Sequence, residues 1–542
     1  MTTLPFHSRR SPVYSRNGIV ATSQPLATAA GLEILGKGGN AADAAVAAGA
    51  ALNVTEPTST GIGGDMFALY YSAETKRVTA LNGSGRAPAA LSLDRLKKEG
   101  FSDELPPFHA HTVTVPGACA GWFDLIERHG SLSMSEILTP AIRFASEGFP
   151  VAPITAYSWQ RGSQNQLRSA PNGHELTING RGPQAGEIFR NPNLARTFEK
   201  VARGKDAFYQ GEIAEAIVAV IREAGGCMSR EDLASHSSTW EEPISVDYRG
   251  YRVYECPPNG QGITALLALN ILEGFDLSSL PSLSTERLHL MIEAMRLAFA
   301  DSRWYVADPK FSGVPVAELL SKDYASKRRK LIDRQRATID PKRGTPVISS
   351  GTVYLSVVDG SGNACSFINS NYWGFGTGIV PKGFGFTLQN RGHNFSLDPN
   401  HPNALAPRKR PYHTIIPAMV TREDGTLYAS YGVMGGFMQP QGHVQVLSAL
   451  VDDGLDPQSA LDQPRFCIDV ETSGGRVALE EGIPVNVVSD LEKLGHPVYA
   501  YAVSGYDRSL FGRGQVILRD EETGVLCAGS DPRADGCAMT LI

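Results

Sequence analysis

From Gly36 to Leu52 the chain reads Gly-Lys-Gly-Gly-Asn-Ala-Ala-Asp-Ala-Ala-Val-Ala-Ala-Gly-Ala-Ala-Leu, a glycine turn leading into a helix whose side chains are nearly all small. A helix without bulk can lie with its backbone very close to a sheet. The same stretch is no membrane span, because the 14 residues from Ala41 to Val54 are interrupted by Asp43, and a span needs about 20 apolar residues. At 542 residues the chain has room for two to four domains of roughly 150 residues, or for one elaborate domain. Lys+Arg 50 against Asp+Glu 56 gives a net charge of −6 spread along the chain, which argues against nucleic acid as a partner. Hydrophobic residues at 42% and charged residues at 20% disfavour disorder, coiled coil and collagen-like arrays. Glycine is in surplus, 56 of 542 or about 10%, where ~7% is usual, which predicts many tight turns or close backbone approaches. The seven cysteines are scattered and odd in number, so neither a disulfide framework nor a zinc site is expected. No apolar run follows Arg9-Arg10, which reads as a solvated basic arm, and the expectation is a soluble, reduced, cytoplasmic protein.

Local patterns place the elements. Ser133-x-x-Glu136 forms a capping box ahead of a helix to Ser146, with Pro140 inside it as a kink. Leu288, Met291, Ile292, Met295 and Phe299 recur at helical spacing and predict an amphipathic helix over 285–301 facing a core. The stretch from Asp323 to Gly351, rich in lysine and arginine and ending in Gly-Thr-Pro-Val-Ile-Ser-Ser-Gly, predicts a solvated, mobile segment. A hairpin follows, with strands 352–359 and 364–370 joined through Gly360, Ser361, Gly362 and Asn363. If Val358 and Ala364 close that turn, paired numbers sum to 722 and Thr352 faces Ser370. A slip of one residue breaks this register.

Two hydroxyls opposed at the start of a strand are either an ordinary surface pair or a reactive one. The second case requires cleavage of Gly351–Thr352, which gives Thr352 a free α-amine beside its own hydroxyl and so a nucleophile with a built-in base. Gly435-Gly436, after a strand-like run from Thr426 to Tyr431, is either a strand-to-helix turn or an oxyanion hole built from two N–H groups. Gly63-Gly64-Asp65 carries the same ambiguity. His109-Ala-His111 has no third ligand at metal spacing and reads as a loop, although a metal-dependent hydrolase using both histidines is a rival reading. Asp531-Pro-Arg533 reads as a structural turn with a charged pair.

Taken in order, Gly38-Gly39-Asn40-Ala-Ala-Asp43, Gly61-Ile-Gly-Gly-Asp65, Pro257-Pro258-Asn-Gly-Gln-Gly, Glu293-Ala-Met-Arg-Leu-Ala-Phe-Ala-Asp301, Thr352 through Asp359, Gly374-Phe-Gly-Thr-Gly, Arg408-Lys-Arg-Pro411, Gly435-Gly436 and Ser530-Asp-Pro-Arg533 resemble the γ-glutamyltransferase family of N-terminal-nucleophile hydrolases over nearly the whole chain. The resemblance implies an α+β, four-layer αββα fold formed jointly by both halves of a precursor. That precursor cuts itself into a large subunit, 1–351, and a small subunit, 352–542, which together make one interlocked domain. It implies Thr352 as nucleophile, Ser370 as the assisting hydroxyl, Gly435 and Gly436 as oxyanion donors, and no metal or organic cofactor. The acyl group passes from Thr352 to water or to an amine acceptor, and a homodimer of the cut pair is compatible with the family.

The departures bear on substrate. Family members that act on glutathione hold the γ-glutamyl α-ammonium with an asparagine, a glutamine and an aspartate, and the matching positions here are Tyr372, Arg391 and Asn394. Two like charges about 4 Å apart at an effective dielectric of 20 repel by roughly 4 kcal/mol, nearly a thousandfold in affinity. Arg391 therefore disfavours an α-amino acid end. The family's arginine for the α-carboxylate is matched loosely by Arg86, two positions beyond its place, and a serine pair is replaced by His413-Thr414. The stretch from Phe395 to Pro411 is short against lid-bearing members, which predicts a more open pocket. The expected activity is cleavage of a γ-glutamyl-like amide such as glutathione. The alternatives are another small carboxylate-bearing amide, in the manner of oxamate amidohydrolase or cephalosporin and glutaryl acylases, or a non-catalytic relative that binds a metabolite.

Overall fold

The computed structural model describes residues 10–339, 351–469 and 475–542. Helix Ala41–Thr55 forms where the small residues predict it. Asn40 caps it by accepting the N–H groups of Ala42 and Asp43, while Asp43 accepts the N–H of Asn40. All of its residues are buried, and a Cβ on Gly49 would stand 2.9 Å from the Phe367 ring, so the helix lies almost backbone-on against strand Ala364–Tyr372.

That strand belongs to a seven-stranded sheet in the order Cys537–Thr540, Gly18–Thr22, Gly351–Asp359, Ala364–Tyr372, Asp65–Ser72, Arg77–Gly83, Thr239–Glu241. A second seven-stranded sheet runs Val13–Ser15, Leu526–Ser530, Arg513–Arg519, Leu427–Met434, Ala418–Thr421, Tyr251–Glu255, Ile244–Tyr248. The two sheets pack face to face over Phe67, Leu69, Tyr354, Ile368, Met419 and Ile517, each worth about 1.5–3 kcal/mol when fully buried. The outer face of the first sheet carries the small-residue helix, and that of the second carries helices Gly262–Leu272, Thr285–Tyr305 and Met438–Val451. This is the four-layer αββα arrangement, and both sheets draw strands from before and after residue 351.

The hairpin register is as the turn arithmetic gives it. Val358 pairs with Ala364 and Val353 with Asn369, with a shift only at the Gly351 end. Asp359 holds the turn by accepting the N–H groups of Ser361 and Asn363, and its other oxygen accepts the N–H of Ala41 at the start of the small-residue helix. Helix Met134–Glu147 follows its Ser133/Glu136 capping box and runs on through Pro140.

Two expectations need correction. Helix Thr285–Tyr305 is longer than its pattern and is buried on every side from Arg287 to Ser302, because its polar residues there are paired inside. Arg287 bonds Asp453, and Arg296 bonds Glu293. The basic stretch is not all mobile surface: Lys322–Arg329 is a helix, in which Arg328 pairs with Asp301 and Arg329 bonds the carbonyls of Asn270 and Ile271. Residues 340–350 of that stretch lie outside the described residues, as does Arg9, while Arg10 donates to the Gly536 carbonyl rather than standing free. Among the described residues no helix is long and apolar enough to cross a membrane.

Candidate active site

The site grows from the end of the hairpin. Thr352 Oγ1 lies 2.9 Å from Ser370 Oγ, and both residues are fully buried. Ser370 Oγ accepts two N–H groups, the backbone N–H of Tyr372 at 2.9 Å and Arg391 Nη2 at 3.1 Å. Arg391 comes from the short turn Arg391–Asn394, and its Nη1 donates to Thr414 Oγ1 at 2.7 Å. The guanidinium lies over the Tyr372 ring, 4.5 Å from its centroid, and the Tyr372 hydroxyl donates to Asn394 Oδ1 at 2.7 Å. Tyr372, Arg391, Asn394 and Thr414 are thus brought together with the hydroxyl pair. In the uncut chain Thr352, Ser370, Arg391 and Thr414 are all at 0% exposure. The guanidinium and the phenol ring beneath it occupy the space beside Ser370.

The two glycines arrive from the facing sheet. Ser356 Oγ donates to Ser430 Oγ at 2.6 Å, and a Cβ on Gly432 would meet the Tyr354 ring at 2.6 Å. Cross-sheet neighbours therefore run 356/430 and 354/432, and the same direction brings position 352 to position 434, beside Gly435 and Gly436. Both have positive φ, 140° and 62°, which favours glycine. Among the described residues neither of their N–H groups has a hydrogen-bond acceptor. The pair is also the strand-to-helix turn, between Leu427–Met434 and Met438–Val451. Gln261 Nε2 ties this turn to the rest of the site by donating to the Gly436 and Thr414 carbonyls. Sequence reasoning gave Gln261 no role, although it stands in the Pro-Pro-Asn-Gly-Gln-Gly motif that opens a helix.

His413 does not reach the hydroxyl pair. Its Nδ1 faces the Ile415 N–H at 3.4 Å, so Nε2 carries the hydrogen and donates to Asp65 Oδ2 at 3.0 Å. Asp65 Oδ1 accepts from Gly85 N, Gly117 N and Gln389 Nε2. Burial pushes the Asp65 carboxyl up, but the His413 bond and the nearby charges outweigh it, so Asp65 stays ionised below its ordinary value. Burial, helped by the Arg391 charge, drives His413 down to about 3, a neutral donor. Burial also lowers Arg391 to about 10 against the pull of Asp65 and Tyr372, which leaves it cationic near neutral pH. Gly63 and Gly64 are packing glycines, since a Cβ on Gly64 would stand 2.2 Å from the Ser370 carbonyl oxygen. Arg86 donates to the Ser237 carbonyl, and burial lowers its pKa against the pull of Asp308 and Glu241.

The buried histidines set a pH dependence. His129 falls to about 4 and His236 to about 3, each through burial first. The unfolded chain takes these protons near 6.5 and the folded chain refuses them until far lower pH, so stability falls as pH drops below about 6.5, by up to ~1.4 kcal/mol per unit for each histidine. Urea midpoints are expected to be flat from pH 7 to 8 and to fall steeply from 6 to 4.5, less so in His129→Gln. A midpoint level down to pH 4.5 refutes this.

Neither histidine cluster outside the site is built for a metal. His109 Nδ1 accepts the His111 N–H, and the His111 ring bonds Glu99. His289, Glu293 and His496 lie within 4.8 Å of one another, but Arg296 donates into His496 Nδ1, so His496 Nε2 holds the hydrogen that faces His289 Nδ1 at 2.7 Å. Asp531 and Arg533 are structural, buried in a charge cluster with Arg465 and Glu480.

Comparison with known proteins agrees with this architecture. The family model described as Gamma-glutamyltranspeptidase matches residues 27–541. A Bacillus subtilis protein described as a glutathione hydrolase-like YwrD proenzyme is 39% identical, over 96% of this chain and 98% of its own. The oxamate amidohydrolase proenzyme of Klebsiella pneumoniae is 31% identical, over 97% of this chain and 98% of its own. The crystal structure of cephalosporin acylase from Bacillus halodurans superposes with a TM-score of 0.92 at 47% identity, covering 100% of this chain and 98% of that one.

Proposed function

The chain belongs to the gamma-glutamyltranspeptidase family, and on that premise we propose that this amide hydrolase and acyltransferase uses Thr352 as its nucleophile, freed by cleavage after Gly351. The observation that carries the reading is the Thr352–Ser370 hydroxyl contact of 2.9 Å, buried at the start of a strand. The cut divides the chain into a large subunit, 1–351, and a small subunit of 542 − 351 = 191 residues. Relatives described as proenzymes support that division.

In the cut enzyme the α-amine of Thr352 takes the proton of its own hydroxyl as the oxygen attacks the amide carbonyl. Ser370 holds that oxygen in line. The N–H groups of Gly435 and Gly436 receive the negative charge that develops on the carbonyl oxygen, each worth about 3–4 kcal/mol at the transition state. Collapse passes that proton from the α-ammonium to the departing nitrogen, expels the amine and leaves an ester on Thr352, which water or an acceptor amine then opens. Lone-pair donation, proton transfer and charge stabilisation come from the chain itself, so the scheme calls for no metal or cofactor.

The acyl group in this reading is γ-glutamyl-like, a short chain ending in a carboxylate. Arg391 favours those without an α-ammonium. Among the described residues the guanidinium has no carboxylate partner and its Nε has no acceptor, and the Nδ2 of Asn394 nearby is also free. Buried unpaired donors of this kind suit an anion. The relatives named for oxamate and cephalosporin substrates support acids other than glutamate. A panel of glutathione, oxamate, and glutaryl and succinyl amides tests this. Glutaryl and succinyl amides or oxamate are expected to turn over with kcat/KM at least about a hundredfold above glutathione. Glutathione as the preferred substrate refutes the charge argument and leaves the γ-glutamyl reading standing.

A further inference from the structure

We propose that Arg391 is also a positioning residue for the nucleophile: acting through Ser370, its guanidinium lowers the cost of ionising the Thr352 hydroxyl, and does so already in the uncut chain. This rests on Thr352 being the nucleophile. The difficulty it addresses lies in the first turnover. Before cleavage the Thr352 nitrogen is an amide, so the built-in base of the mature enzyme does not yet exist, and the same hydroxyl must still attack. In that step the Thr352 oxygen bonds to the Gly351 carbonyl carbon, the carbon–nitrogen bond breaks, and the hydroxyl proton passes to the departing nitrogen. Water then opens the ester, leaving a carboxylate on Gly351 and a free amine and hydroxyl on Thr352.

The contacts give this step a source of activation. Arg391 Nη2 and the Tyr372 N–H both donate to Ser370 Oγ, and that oxygen lies 2.9 Å from Thr352 Oγ1. Two donors on Ser370, one of them carrying a full charge, polarise its hydroxyl outward and favour negative charge on the oxygen beside it. The guanidinium is fixed for the purpose by Thr414 Oγ1, by the Tyr372 ring, and by Gln261 holding the Thr414 carbonyl. Other charged groups face it from each side. Asp65 on strand Asp65–Ser72 is engaged by four donors, one of them the neutral His413. Tyr372 lies beneath, and it and Asp65 are the groups whose charges act on the guanidinium; Arg410 is spent on Glu241, the carbonyls of Asn82 and Ser84 and the Thr239 hydroxyl. Asp65 thus offsets the Arg391 charge from a distance without an ion pair to it.

Self-cleavage separates this role from substrate anchoring, because the residues just before the scissile bond, Thr345 to Gly351, carry no carboxylate side chain. Freshly made full-length protein is followed by denaturing electrophoresis across a pH series. Arg391→Gln is expected to process at least about tenfold more slowly, with its pH–rate rise displaced upward by about one unit, while Arg391→Lys, which keeps the charge, stays within about fivefold of wild type. Ser370→Ala combined with Arg391→Gln is expected to be no slower than Ser370→Ala alone. Wild-type processing and an unchanged pH profile in Arg391→Gln overturn the proposal, and so does a fully additive double variant. If circular dichroism shows that Arg391→Gln does not fold, Arg391→Lys decides: processing near the wild-type rate supports a charge effect, and arrest in a folded protein overturns it. Continued cutting of Thr352→Ala would instead overturn the assignment of the nucleophile.

Discussion

Thr352→Ala is expected to leave a single polypeptide of 58.2 kDa, uncut and without amide turnover, a loss on the order of 10⁴-fold or more. The size of the effect follows from one oxygen serving twice, first in cutting the chain and then in every acyl transfer. The fold should survive at a cost of about 1–3 kcal/mol, since the alanine removes a buried hydroxyl and methyl and takes this partner from the Ser370 hydroxyl. Thr352→Ser keeps the nucleophile and should still cut itself. Electrophoresis after prolonged incubation, with release of amine from the substrate panel, reads both activities. An alanine variant that is still cut at residue 351, or that still turns over, sinks the assignment. A wild-type chain that persists uncut would favour the metabolite-binding alternative.

Much of the frame could be read from the residues. The small-residue helix, the Ser133/Glu136 capping box and the hairpin register from Val353 to Ala364 are local signals: alternation, turn residues and cap chemistry act over a few positions and were met as predicted. Turn arithmetic put Thr352 opposite Ser370, and their hydroxyls do meet, although the ladder slips between Gly351 and Val353 and Thr352 lies in that irregularity. What sequence missed is set by contacts between distant segments. Nothing near Gln261 says that its amide would bridge the Thr414 and Gly436 carbonyls, because the three meet only when a helix start, a loop and a strand end converge. The amphipathic pattern over 285–301 identified a helix but not its complete burial, which depends on partners such as Asp453 and His496 being supplied from far along the chain. The charge of the basic stretch suggested exposure, yet Arg329 is spent on two carbonyls of helix Gly262–Leu272. Arg86, aligned by likeness alone, points to Ser237, whereas Arg391, noticed for its departure from the family, stands at the centre of the site.

Asp65→Ala carries the second large expectation, a loss of about 3–5 kcal/mol in urea unfolding together with slowed self-cleavage. Asp65 is at 0% exposure and accepts from Gly85, Gly117, Gln389 and His413. Its removal strands four buried donors and withdraws the negative charge that balances Arg391. Asp65→Asn should cost less, because an amide oxygen can still accept from Gly85 and Gly117, but its NH₂ would oppose the His413 Nε2–H and force that ring to change tautomer. The pH dependence identifies the cause. The folded carboxyl lies below its ordinary value, so its contribution is complete above the unfolded value near 3.9 and is lost as pH falls through the folded one. Wild type and Asp65→Asn should therefore differ most at pH 6–8 and converge in strong acid. A gap that stays constant from pH 7 down into strong acid would mean that the fold needs the shape of this side chain and not its charge, and a gap under about 1 kcal/mol at pH 7 would remove Asp65 as the counter-charge that lets a guanidinium without an ion pair sit beside the nucleophile.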